Sequence, residues 1–153
     1  MWFSRKQAVK VPPQDAANGA LAVPKQSTTK SRGDAAEAAA RACLAGAGLH
    51  WIESNYRTPG RGGGEIDLVM RTPDGTLVFV EVRYRSTATH GGAGASIGTV
   101  KQRRIVFAAT HYLMRFARPP PCRFDVVLVH GVFADGKICK PALEWLPAAF
   151  DAS

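Results

Sequence analysis

Gly64-Glu65-Ile66-Asp67-Leu68-Val69-Met70-Arg71-Thr72-Pro73-Asp74-Gly75-Thr76-Leu77-Val78-Phe79-Val80-Glu81-Val82-Arg83 has the pattern of two strands joined by a tight turn. Both flanks of Pro73-Asp74-Gly75 follow a period of two, the signature of strands. Ile66, Leu68 and Met70 are expected on one face of the first strand, with Glu65, Asp67 and Val69 on the other. In the second strand Phe79, Glu81 and Arg83 share a face. Pro-Asp-Gly suits a three-residue hairpin loop, because Pro pre-sets the first turn position and Gly accepts a positive φ as a G1 bulge. Thr72 then pairs with Thr76. Counting back along the ladder places Asp67 opposite Glu81 and Glu65 opposite Arg83, with Cβ atoms roughly 4.5–5.5 Å apart in each pair.

Two facing carboxylates are costly without a cation between them. The second strand is apolar on both faces apart from Glu81, as a central buried strand is. A carboxylate in that setting must be paired, protonated or bound to metal. Hard oxygen ligands favour Mg²⁺ or Mn²⁺ over zinc. The bland alternative is a solvated strand face whose acids serve only solubility.

The chain has 153 residues and a formal net charge of +8, enough for one domain with a core and a bias toward an acidic polymer or anionic surface. No Asp or Glu occurs between Glu81 and Asp125, whereas Arg83, Arg85, Lys101, Arg103, Arg104, Arg115, Arg118 and Arg123 all fall there. A positive field therefore follows directly on the acidic pair. Three cysteines, Cys43, Cys122 and Cys139, form no CxxC pair and read as thiols of a cytoplasmic protein. The four histidines are scattered. No apolar run approaches the ~18–20 residues that cross a bilayer. The N-terminus lacks the apolar region of a signal peptide.

Residues 1–30 carry five basic residues against Asp15 and no periodicity, so they read as a disordered basic tail preceding a domain over 31–153. A helix is expected over 34–47, where Glu37 shares a side with Ala40, Arg41 and Leu44. A strand follows over 50–56, with Trp51 and Ile52 as core candidates. The glycine-rich segment 58–64 is a loop. It lacks the Gly-Lys-Ser/Thr ending of a nucleotide cradle, but its glycines and Arg61 suit close backbone approach to a phosphodiester. After a flexible stretch over 90–98, Thr99-Val100-Lys101-Gln102 has capping-box form. Ile105, Ala108, Ala109, Tyr112, Leu113 and Phe116 make the core stripe of the helix it opens. Lys101, Gln102, Arg103 and Arg104 gather at that helix's positive end, where acids are ordinarily favoured, which points to an anionic partner. Pro119-Pro120-Pro121 stops the helix, a strand runs over 122–129 with Asp125 as a core or Arg123 partner, Asp135-Gly136 turns the chain, and 143–150 closes the fold. The expected architecture is a single α/β domain with a mixed sheet of about five strands flanked by at least two helices.

These motifs together resemble the PD-(D/E)xK nuclease superfamily, whose pattern is an Asp, a short turn, then Glu-x-Lys on the next strand. More narrowly, the chain resembles the bacterial YraN-like family, similar in fold to restriction endonucleases and archaeal Holliday-junction resolvases. The resemblance spans residues 31–150 through Gly33-Asp34-Ala35-Ala36-Glu37, Asn55-Tyr56-Arg57, Gly64-Glu65-Ile66-Asp67, Phe79-Val80-Glu81-Val82-Arg83, Lys101-Gln102-Arg103-Arg104-Ile105 and Arg123-Phe124-Asp125-Val126-Val127. It departs at Arg83, where the superfamily has Lys, and at Ile66, where it has Pro. The resemblance implies a nucleic-acid-binding protein that hydrolyses phosphodiesters with Mg²⁺ or Mn²⁺. Asp67, Glu81 and, from the first helix, Glu37 are then the metal-site residues, and Asp67, Glu81 and Arg83 the catalytic ones. Arg61, Arg85, Lys101, Gln102, Arg103 and Arg104 are the expected contacts to DNA or structured RNA. Arg83 suits electrostatic stabilisation and not general base chemistry, since a guanidinium stays protonated. Two other readings share the same residues: a catalytically degenerate nucleic-acid-binding module, and a basic protein- or membrane-surface interaction module. Oligomeric state, a homodimer included, is left open by the sequence.

Overall fold

The computed structural model describes residues 28–86 and 97–152. Most of the expected tail and most of the expected flexible stretch lie outside them. The elements run α1 (Thr29–Gly46), β1 (His50–Arg57), β2 (Glu65–Arg71), β3 (Leu77–Arg85), α2 (Thr99–Leu113), β4 (Cys122–Ala134) and β5 (Lys137–Phe150). The strands form one mixed sheet in the order β1-β2-β3-β4-β5, with β3 and β4 parallel and every other neighbouring pair antiparallel. The expected single α/β domain, with a five-stranded mixed sheet between helices, is the observed one.

Helix α1 starts at Thr29, five residues before the expected start. Thr28 is extended and its Oγ1 accepts the Ser31 N–H at 3.1 Å, satisfying one of the donors that a helix start leaves open. Ala36, Ala40 and Leu44, spaced by four, are the buried stripe, packed with Leu68, Met70, Val78, Val80, Val127 and Val129 on one face of the sheet. Leu44 is wholly buried, so Leu44→Ala should cost about 2–5 kcal/mol. Helix α2 covers the other face. Ile105, Ala108, Ala109 and Tyr112 meet Ile66, Val69, Leu77, Phe79 and Phe124, and the Tyr112 ring stands edge-on to Phe79 at 5.6 Å. Leu77, Val78, Phe79 and Val80 are all fully buried because β3 lies at the centre of the sheet and has a helix on each side.

The β2–β3 hairpin turns as its residues dictate. Thr72 N–H donates to the Thr76 carbonyl at 2.9 Å, and Gly75 takes φ +95°, a conformation that side chains disfavour. The ladder registers Leu68 with Val80 and Arg71 with Leu77.

Several expectations are corrected. Ile66 packs with Val69 and Phe79 on the α2 face, not with Leu68 and Met70, so strict alternation fails next to Asp67. A register shift between Trp51 and Glu53 breaks the alternation of β1. Trp51 is 42% exposed, and it lies under the Arg41 guanidinium at 3.6 Å, while Ile52 is partly buried in the core. The capping box at α2 does not form. Gly98 is the cap, and Gln102 Nε2 instead donates to the Ile97 carbonyl at 2.8 Å. That helix ends at Leu113, ahead of the three prolines, leaving Phe116 beyond it but still against the core. Strand β4 continues to Ala134, and β5 begins at Lys137, well before residue 143. Pro141 and Pro147 are tolerated because β5 is an edge strand.

Candidate metal and phosphodiester site

Asp67 and Glu81 come together where β2 and β3 part. The backbone ladder stops at Leu68–Val80, and the Asp67 carboxylate takes over the next position, Oδ2 accepting the Val82 N–H at 2.8 Å. Side chain thus replaces main chain as the link between the strands. Glu65 lies beyond the end of this ladder, so the expected backbone opposition of Glu65 and Arg83 does not form. Glu65 is across from Arg57 of β1, and their side chains form an ion pair at 3.1 Å.

Glu81 is 7% exposed. Its Oε2 is 3.4 Å from Lys101 Nζ on the first turn of α2, a contact that the spacing along the chain did not suggest. When both carboxyls are ionised neither can donate to the other, and Glu81 Oε1 then has no hydrogen-bond donor among the described residues. Burial, followed by the charge of Asp67, pushes the Glu81 carboxyl up to about 8, and the Lys101 charge only partly opposes this. Asp67 is also raised by burial, but the Val82 N–H holds it down. Without a cation, burial therefore holds both carboxyls above the ordinary carboxylate range.

Glu37 extends from α1 toward the same end of β2. Asn55 Nδ2 donates to its Oε1 at 3.2 Å, from a residue held at φ +56° in β1, a left-handed conformation that Asn tolerates better than most side chains. Burial first, then the charge of Asp67, pushes Glu37 up to about 7. Its carboxyl feels Asp67 electrostatically. Among the described residues no three His, Cys, Asp or Glu side chains cluster closely enough to hold a metal ion by themselves.

Asp67 and Glu81 nevertheless fit a hard divalent cation. They are two oxygen donors, one with a buried oxygen lacking a donor, and ionising both is unfavourable in a way that a cation would relieve. Mg²⁺ commonly takes only one or two protein carboxylates and completes its shell with water and substrate phosphate.

The remaining predicted residues are spread around this pair. Arg83 sits half-buried on β3 beside Leu128 of β4. Arg61 is exposed at the loop tip, and Lys101, Arg103 and Arg104 are exposed on the first turns of α2. Arg85 directs one Nη to the Tyr84 carbonyl at 3.3 Å. Asp125 is fully buried and satisfied: Arg123 grips both its oxygens at 3.0 and 3.2 Å, and Trp145 Nε1 and the Ala148 N–H add bonds of 2.9 Å each. It is a structural acid. Neither described helix is long and apolar enough to cross a membrane.

Comparison with known proteins agrees with the motifs. A UPF0102 protein of Polaromonas naphthalenivorans is 78% identical over 153 residues, covering 100% of both chains. Another, from Polaromonas sp. strain JS666, is 73% identical over the same length and also covers both chains fully. A UPF0102 protein of Albidiferax ferrireducens is 61% identical over 126 residues, 82% of this chain and 91% of its own. The model of Uncharacterised protein family UPF0102 matches residues 36–129, a span that contains Glu37, Asp67, Glu81, Arg83 and Lys101, and the chain belongs to that family.

Proposed function

We propose that the protein binds DNA or structured RNA and hydrolyses its phosphodiester backbone with the help of a divalent cation held by Asp67 and Glu81. The observation that carries this reading is the buried Glu81 carboxyl, which has an oxygen without a donor beside the half-buried carboxyl of Asp67. Burying two acids together costs stability, and a cation recovers it. A bound Mg²⁺ or Mn²⁺ would lower the pKa of a coordinated water and neutralise charge developing on the phosphoryl group.

The chain's own residues supply the rest. The Val82 N–H fixes the Asp67 carboxylate at the strand edge, so its direction is set before any ligand arrives. Lys101 lies against Glu81 in the free protein and is half exposed, on a stem long enough to meet an incoming phosphate. Arg83 contributes fixed positive charge. Arg103 and Arg104 extend that charge along the start of α2, where the helix dipole has the same sign.

A second reading is favoured by the Lys101–Glu81 ion pair itself: an internal ammonium in place of the cation, in a module that binds nucleic acid without cutting it. The test is a cleavage panel of linear, branched and single-stranded DNA and RNA with Mg²⁺, Mn²⁺ or EDTA, run on wild type and Glu81→Gln. Metal-dependent cleavage lost in the variant supports hydrolysis. Binding without cleavage under every condition supports the second reading.

A further inference from the structure

The loop between β1 and β2 is built onto α2. Thr58, 7% exposed, closes it: its N–H donates to the Gly64 carbonyl at 3.2 Å and its Oγ1 accepts the Gly64 N–H at 2.9 Å. A methyl group on Gly64 would stand 2.0 Å from the Arg104 carbonyl oxygen, so only glycine lets the loop lie this close to the helix. Between them is a cavity of about 360 Å³, lined by Arg57, Lys101 and Arg104, by loop residues including Gly60 and Gly63, and by one acid, Glu65.

Two of those three cations already hold carboxylates, and one of them, Lys101, holds a member of the acidic pair at the parting of the strands. Arg57 is paired with Glu65, and Lys101 with Glu81. The cavity and the acidic pair therefore share an arm.

We infer that this cavity is a subsite for one phosphate of a nucleic-acid backbone, the neighbour of the phosphate presented to Asp67 and Glu81; the assignment to nucleic acid rests on the function proposed above. Three cations from two elements face one acid, which gives the cavity an excess of positive charge. The Arg57 guanidinium can offer a phosphate two parallel N–H donors. The glycines remove side chains that would keep a phosphate from the backbone. A phosphate seated here competes with Glu81 for Lys101 and leaves Glu81 Oε2 open to a cation. Filling the cavity and loading the acidic pair then favour each other, and by linkage the effect is reciprocal. Lys101 is the residue through which the two are coupled.

The test begins with inorganic phosphate titrated into ¹⁵N-labelled protein in EDTA at constant ionic strength, followed by amide chemical shifts. The expected result is saturable shifts centred on Gly60, Gly63 and Gly64, with affinity lowered about tenfold in Arg57→Gln and in Arg104→Gln, the loss of one charged hydrogen bond. Lys137→Gln, at the β4–β5 turn, should leave it unchanged. The rest of each spectrum reports whether the variant is folded. Shifts that do not saturate, that spread evenly over the surface, or that survive both arginine substitutions overturn the subsite. In a parallel arm, fluorescence anisotropy with labelled single-stranded and branched DNA in EDTA should show the same two substitutions weakening binding. Phosphate shifts at the loop with no binding of DNA or RNA by wild type would keep the phosphate site and remove the nucleic-acid assignment. Tight DNA binding indifferent to both substitutions would remove the subsite and leave the proposed function standing.

Discussion

Lys101 Nζ lies 3.4 Å from Glu81 Oε2, so the only buried glutamate among the described residues has an ion-pair partner on a different element, at the start of α2. That ammonium does not fully compensate burial, because the Glu81 carboxyl is still pushed up to about 8.

A pH dependence of stability follows. The folded state holds a proton on Glu81 up to about 8, and on Glu37 up to about 7, whereas the unfolded chain releases both near the ordinary value of 4.5. Between those limits the folded state binds more protons, so stability falls as pH rises from about 5 to 8. Metal-free protein should melt at a lower temperature at pH 8.5 than at pH 5.5. Glu81→Gln should flatten that slope and raise the melting temperature at pH 8.5 by about 3–6 °C, near what 1 kcal/mol is worth in a domain of this size. Thermal melts in EDTA across this range check it. A melting temperature that rises with pH in wild type contradicts the burial of these acids.

Asp125 gives the opposite case of a buried acid whose partners are complete. Asp125→Asn should cost about 3–5 kcal/mol, because it leaves the Arg123 guanidinium without its carboxylate. Denaturant unfolding measures the loss. Cation binding, measured on the folded fraction, should be unchanged.

The hairpin was legible because its determinants are local. Pro73-Asp74-Gly75 fixes the turn, and counting from Thr72 and Thr76 gives the observed Leu68–Val80 and Arg71–Leu77 register. The acidic pair follows from the same counting. What escaped depends on irregular backbone or distant packing. The shift at Trp51/Glu53 and the left-handed Asn55 have no period to betray them. Asn55 was noticed only as part of a motif, and its bond to Glu37 joins residues eighteen apart. The place of Arg57 in a charged cavity has no signal in the sequence, because the other cations there come from α2. Lys101 stands out in the sequence as a phosphate contact, whereas its ion pair with Glu81 depends on how α2 packs on the sheet. The early start of α1 was missed because residues 29–33 lack an apolar stripe, and Thr28 capping is the cue that would have found it.

Nucleic-acid affinity should fall steeply with salt if phosphates displace counterions from the exposed cations of α2. Each such contact contributes about 0.7–0.9 to the log–log slope. Replacing Lys101, Arg103 and Arg104 together with Gln should make the slope shallower by about two units or more. A slope unchanged by the triple substitution excludes this helix end as the backbone contact.

Arg83 separates charge from geometry. Arg83→Lys retains the positive charge and restores the residue of the resembling superfamily, so cleavage should be kept or raised. A variant that melts a few degrees lower and gains no activity would make Arg83 a structural residue, since a guanidinium fork is poorly replaced by an ammonium. Initial cleavage rates and melting temperatures on the same preparations decide between these outcomes.

If Asp67 and Glu81 hold a cation, calorimetric titration of Mn²⁺ detects it without any substrate. Wild type at pH 8 should bind one Mn²⁺, more weakly at pH 6, where the proton on Glu81 competes. Asp67→Asn and Glu81→Gln should each lower the affinity by about tenfold or more, a loss of about 1.4 kcal/mol or greater. No saturable binding to wild type, or equal binding by all three proteins, would contradict a cation site there.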